Sequence, residues 1–262
     1  MLLLGTDDPP PFMERNSQGA ALVLFTSDHN GVAVPQALKD CGVPAHEMRR
    51  HVAYDIGIDA VAKVLSDRFD APLVVSNYSR LVIDCNRHLG APGSVPPTSD
   101  GTVVPSNMEI STIDRVAREN EIFHPYHAAI GRRLQEMRER EGGSGPIIIA
   151  LHSFTPVIGG VFRPWDIGIL WKDDRRLARP IIEALESAGS MAVGDNKPYS
   201  GSNPAGYTVD CHVAPLDLIS IGVEFRQDRI EFHAGAEEWA GRFGDALERV
   251  LVARPWERRR DA

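Results

Sequence analysis

The sequence predicts an α/β fold, a three-layer sandwich built around a largely parallel sheet. Three observations carry this. Short, continuously apolar runs recur along the chain, helical patterns lie between them, and the alternation persists over nearly the whole length. Continuous apolarity is the mark of strands covered on both faces, and strands separated by helices imply crossover connections.

The strand-length runs are at 20–25, 71–75, 146–151, 167–171 and 218–223. Residues 56–69 place Val61, Val64, Leu65 and Phe69 on one helical face. A second helix is expected after Pro125, through Ile130 and Leu134 to Met137. A third should start at Asp173 and carry Leu177, Ile181 and Leu185, and a closing helix should cover 237–252. Residues 1–18 read as a proline-rich lead-in and 19–262 as a single catalytic domain. Residues 89–108 are rich in Pro, Gly, Ser and Thr with no apolar period, and a loop of that length in a compact domain is expected to be a lid.

Composition narrows the function. With 43% hydrophobic and 24% charged residues in 262, the chain is neither disordered nor coiled coil. Its net charge of -8 argues against a nucleic-acid surface. No run approaches the ~20 apolar residues of a membrane span. The amino terminus turns acidic and proline-rich after Met1-Leu2-Leu3-Leu4 and has no basic leader. Cys41, Cys85 and Cys211 are odd in number and widely spaced, as expected of a reducing compartment. The expectation is therefore a cytoplasmic protein, with no membrane or nucleic-acid partner and its oligomeric state open.

In open α/β sheets ligands bind at the carboxyl ends of strands. The residues directly after the apolar runs include Asp28 and His29, Asn77 and Arg80, His152 and Ser153, and Glu224 and Arg226. Two histidines and carboxylates on one rim are what a catalytic zinc site requires, since hydrolytic zinc takes imidazole and carboxylate ligands and keeps one position for water. The structural alternative is that each strand-end histidine is merely hydrogen-bonded. Glu224 ends an otherwise apolar strand, where a carboxylate is costly unless paired or functional. It is either a partner of Arg226 or the base that moves the proton. The run Asn77-Tyr78-Ser79-Arg80-Leu81-Val82-Ile83-Asp84-Cys85-Asn86-Arg87 offers arginine forks suited to a carboxylate, although Asp84 could simply pair with Arg80 or Arg87.

Several motifs occur in order: Asp28-His29-Asn30, the segment 51–57 with Tyr54-Asp55, the run 79–87, Pro125-Tyr126-His127, His152-Ser153-Phe154-Thr155-Pro156, Arg163-Pro164-Trp165, the Asn196 to Tyr199 loop, and Val223-Glu224-Phe225-Arg226. Together they resemble the N-formylglutamate amidohydrolase family. The resemblance implies a phosphorylase/hydrolase-like fold with a central mixed sheet, shared with zinc carboxypeptidases and aspartoacylases. It further implies one Zn²⁺, other divalent transition metals being alternatives, and a small anionic N-acyl amino acid as substrate. Aspartoacylase-like relatives carry His-x-x-Glu after an early strand, an Arg…Asp-x-Asn-Arg clamp and a Gly-x-Glu base. This chain is similar at Arg80, Asp84, Asn86, Arg87, His152 and Gly222-x-Glu224, but Val32 stands three residues after His29 where the relatives have a carboxylate.

The expected metal ligands are accordingly His29, His152 and Asp55, with Asp28 the alternative third ligand or the carboxylate that orients His29. The resemblance makes Glu224 the base and Arg80 the oxyanion partner. Asn86, Arg87 and Arg163 are expected on the substrate carboxylate, His127 facing the substrate, and Asn196 and Tyr199 in a closing loop. Rival readings are a carboxypeptidase-like small-peptide hydrolase, a deacylase of larger acyl groups, and a metal-free binding module.

Overall fold

The computed structural model describes residues 2–140, 145–202 and 206–257. One sheet holds β1 (Phe12–Arg15), β2 (Val23–Ser27), β3 (Leu73–Ser76), β4 (Ile147–Phe154), β5 (Ile167–Leu170), β6 (Val193–Asp195) and β7 (Ser220–Arg226), in the order β1-β3-β2-β4-β7-β5-β6. Strands β3, β2, β4 and β7 are mutually parallel. β5 runs antiparallel to β7 and parallel to β6, and β1 closes the far edge antiparallel to β3. The sheet is mixed and largely parallel, as the sequence predicts.

The five apolar runs all become strands. β1 and β6 were not foreseen, because both are edge strands of three or four residues and β1 alternates in burial instead of running apolar. β1 lies inside the lead-in, so that segment belongs to the sheet. Leu3 and Leu4 tie it down further by donating their N–H groups to the Glu121 carboxylate.

Alternation gives the sheet two different faces. Phe25, Ile149, Leu151, Ile169, Val223 and Phe225 point to one, where α1 (Ile58–Phe69), α3 (Ala178–Ser187) and α4 (His233–Ala253) cover them. Each such side chain contributes about 1.5–3 kcal/mol when fully buried. Leu24, Val74 and Ile148 point to the other face, under α2 (His124–Arg140). Further along that face stand Ala150, His152, Gly222 and Glu224, which line a cavity.

Helix boundaries depart from the pattern for local reasons. α1 starts at Ile58 because Gly57 takes a left-handed conformation (φ 80°), and a Cβ there would lie 2.2 Å from the Ile230 carbonyl oxygen. α3 starts at Ala178 and not Asp173, because the Asp174 side chain accepts the Arg176 N–H and holds a turn. α4 starts a turn early, at His233, where His-Ala-Gly-Ala shows no apolar period. α2 is preceded by a helix at Thr112–Arg118 and a π-helical turn at Glu119–Phe123, just before Pro125, which has no N–H to donate.

Residues 89–108 are not a lid, since none of them lines the cavity. They contain a hairpin (Thr98–Ser99 with Thr102–Val103) and a short helix, Pro105–Met108. Asn107 donates to the carbonyls of Leu81 and Pro96 at 2.8 Å, and the buried Arg118 donates to Val82 O and Asn107 Oδ1. The polar residues that hide an apolar period thus serve as a strap beneath 80–87.

The loop after β6 crosses the cavity face directly over Gly168, the β5 partner of Glu224. A Cβ on Gly168 would fall 1.9 Å from the Lys197 carbonyl oxygen. Gly168→Ala should therefore displace this loop and cost about 1–3 kcal/mol, the usual penalty of overpacking. Urea denaturation reads the cost, and an unchanged midpoint would refute the close approach.

Candidate active site

The site is assembled from the carboxyl ends of the four parallel strands. Register places Glu224 on β7 beside His152 on β4, so both project from the same face. His29 follows β2 in a turn, and its carbonyl accepts the Asp55 N–H at 2.9 Å. Ala53, two residues before Asp55, accepts from Arg80 N and Ser79 Oγ in the segment after β3. Three separate loops are thereby knitted together around one carboxylate.

Asp55 is 2% exposed. Its Oδ2 lies 3.0 Å from His152 Nδ1 and 3.6 Å from His29 Nδ1, and accepts the Ser153 N–H at 3.1 Å. Its Oδ1 accepts from Arg80 Nη2. The opposite nitrogen of each imidazole faces a further carboxylate: His29 Nε2 is 2.7 Å from Asp84 Oδ1, and His152 Nε2 is 3.4 Å from Asp28 Oδ2. Asp28 stands behind His152 and not behind His29, and Asp84 bonds His29 instead of an arginine. His51 lies in a turn with Nε2 3.2 Å from Asp100.

The electrostatics follow from burial and these pairings. Burial alone would raise Asp55, but the Arg80 guanidinium and both imidazoles hold it well below the usual carboxylate range. Asp84 is likewise pushed up by burial yet brought down to about 2 by His29 and Arg80. His152 is opposed by burial and still rises well above its ordinary value, because Asp28 and Asp55 flank it. Glu224 goes the other way: burial, with Asp55 adding to it, pushes it up to about 7 against the pull of His152 and Arg80. Its Oε2 is buried without a hydrogen-bond partner. Arg226 is no partner for it, being engaged by Asp166 and Asp228.

His29, Asp55 and His152 fit a divalent cation. All three are buried, and one donor atom from each lies within 4.8 Å of the others. The outer carboxylates supply what imidazole ligands generally need on their second nitrogen.

The cavity, about 240 Å³, runs from this cluster down the sheet face. Ala150 and Gly222, paired in register, form its floor one step below His152 and Glu224. Asn86 and Arg87 line it, as does Tyr199; Leu170, Trp171 and Lys172 close the far end. Arg87 forms no ion pair among the described residues. Arg163, His127 and Asn196 do not line the cavity. Arg163 donates to Thr155 O and, at 2.8 Å, to the Tyr199 hydroxyl, so it supports Tyr199 from behind. His127 is buried between Cys85 O (2.8 Å) and His212 (3.1 Å), its pKa lowered to about 4, by burial above all. Asn196 Oδ1 accepts from Trp171 N and Gly201 N and shapes the turn that carries Tyr199.

Sequence reasoning missed Trp171, Lys172 and Thr208. Trp171 ends an apolar run and Lys172 follows it, so both were within reach of the strand-end rule. β5 is antiparallel to its neighbour, however, so its end falls at the far end of the cavity. Thr208 carries no sequence signal.

Residues 21–231 match the N-formylglutamate amidohydrolase family. Among solved structures, a gene product of Agrobacterium tumefaciens is similar with 30% identity, covering 96% of this chain and 98% of that one, at a TM-score of 0.91. An N-formylglutamate amidohydrolase from Ralstonia eutropha is 19% identical, covering 94% and 99%, with a TM-score of 0.69, and is similar in fold. A search of curated proteins returns no match. No helix among the described residues is long and apolar enough to cross a membrane.

The raised His152 pKa sets a pH dependence for the metal-free protein. A histidine raised above its unfolded value of about 6.5 contributes stability fully below that pH and loses it as pH rises through the folded value. The His152 ring should therefore stay protonated at pH 7 in NMR titrations, and unfolding free energy should fall as pH rises above neutral. Titration of His152 at or below 6.5 would refute the flanking-carboxylate account.

Proposed function

Because the chain belongs to the N-formylglutamate amidohydrolase family, we propose that it hydrolyses the amide bond of a small N-acyl amino acid, with N-formylglutamate as its best single instance. The observation that carries this reading is Glu224: a buried carboxyl oxygen with no partner, beside a His-Asp-His cluster, in a cavity lined by arginines.

His29 and His152 through Nδ1, and Asp55 through Oδ2, are the residues that would hold Zn²⁺ or another divalent transition metal. Bound there, the ion supplies Lewis acidity and a water acidified toward neutral pH. Glu224 is the group that takes the proton from the attacking water and passes it to the departing nitrogen, which requires a carboxyl poised to hold and release a proton near the working pH. Arg80, held on Asp55 through Nη2, lines the cavity and is the cation that would face the developing oxyanion. Arg87, whose Nη1 donates to Asn86 O at 3.3 Å, lines the cavity with the rest of its guanidinium for the substrate carboxylate, and Asn86 stands beside it. Tyr199, supported by Arg163, walls the opposite side. Three free cysteines, two of them buried, fit a reducing, cytoplasmic setting.

Glu224→Gln should lower turnover by about 10²–10⁴-fold while leaving bound metal unchanged, the range expected for removing a general acid–base group. Formate release from N-formyl amino acids, with N-acetyl and dipeptide substrates in parallel and chelator controls, gives the activity, and elemental analysis gives the metal. Full activity in the variant sinks the role of Glu224, and cleavage of dipeptides alone sinks the substrate class.

A further inference from the structure

One wall of the cavity is the short helix Tyr207–His212. Gly206, Thr208 and Val209 face the cavity, and the helix is tied to the site at several points. Tyr207 N donates to Asn86 O and Thr208 N to Asn86 Oδ1, both at 3.3 Å. A Cβ on Gly206 would lie 2.7 Å from Asn86 Oδ1, so the glycine permits that close approach. Asp210 is held by Lys172 Nζ at 2.9 Å and His88 Nε2 at 3.0 Å.

The remaining tie is different in kind. Thr208, 1% exposed, donates its hydroxyl to Asp28 Oδ1 at 2.6 Å, and Tyr126 OH donates to the same oxygen at 2.8 Å. With Oδ1 fixed by two hydroxyls, the carboxylate has only Oδ2 left for His152; that buried oxygen accepts no hydrogen bond and faces Nε2 as an ion-pair contact at 3.4 Å. Thr208 thus bonds the group that orients a proposed metal ligand while its own helix walls the substrate cavity.

We infer that Thr208 is a positioning residue through which the Tyr207–His212 wall and the metal ligand His152 hold one another in place, so that metal binding and docking of this wall are one linked equilibrium. The inference rests on the metal site proposed above. Linkage is reciprocal: whatever the wall contributes to metal affinity, the metal must contribute to the wall. Asn86 is part of the same arrangement, so the substrate side and the metal side of the cavity are joined through one helix.

The test uses the full chain and Zn²⁺ itself, with affinity read by competition against a chromophoric chelator and docking read by hydrogen exchange of the Tyr207–His212 amides. Wild type should bind Zn²⁺ and show slower exchange in that helix when loaded. Thr208→Val should weaken Zn²⁺ binding about tenfold or more, as loss of an outer-sphere partner does, and Thr208→Ser should restore affinity to within about twofold. In Thr208→Val the exchange rate should also cease to depend on Zn²⁺, which a merely destabilised helix would not show. Should Thr208→Val fail to fold, Tyr126→Phe removes the other hydroxyl on the same oxygen and should weaken Zn²⁺ binding as well. Wild-type affinity in the tested variant, with exchange still responsive to Zn²⁺, overturns the inference alone. A wild-type chain that does not bind Zn²⁺ overturns the metal reading and this inference together.

Discussion

The site depends on the Asp55 carboxylate. It is almost fully buried, and such a charge is expensive unless it is paired and hydrogen-bonded. Its partners come from three different strand ends: His29 after β2, Arg80 after β3, and His152 with the Ser153 N–H at the end of β4. The cost of burying this charge is met only when all three ends converge. The same convergence sets the Nδ1 atoms of two imidazoles 3.6 and 3.0 Å from one carboxylate oxygen. Burial and charge then separate the two acids of the pocket, Asp55 held far down by cations and Glu224 left high by desolvation. One carboxylate is suited to a cation and the other to a proton.

Much of the fold was legible because parallel strands, covered on both faces, spell themselves as apolar runs. His29, His152 and Glu224 were legible for a related reason. Each interrupts or ends such a run, and a polar group there must either be satisfied or act. Asp55 came from family resemblance, and the structure now places it at the centre of the cluster.

What stayed hidden required spatial neighbours that no spacing encodes. Asp84 is 55 residues from His29 yet bonds it, and Thr208 is 180 residues from Asp28. His127 sits in a motif with Tyr126, but the helix turns it toward Cys85 and His212 instead of the cavity. Arg163 and Asn196 are likewise spent on shaping the loop that bears Tyr199. The strap at 89–108 looked like a lid because its only strands are two residues long and its anchors, such as the Asn107 side chain on the Leu81 and Pro96 carbonyls, leave no apolar period.

The floor of paired Ala150 and Gly222 has a consequence for how such a pocket changes over evolutionary time. Strand residues of alternate parity face the cavity, so positions 224, 222 and 220 of β7 mark it at steps of about 6.6–6.8 Å, like graduations on a ruler. The first graduation carries the carboxyl proposed to move the proton, and the others only measure. A side chain grown at 222 or 150 would shorten the usable length from within while leaving the Glu224 end intact. Selectivity for ligand length can therefore drift one substitution at a time, insulated from the machinery by a single pleat of the sheet.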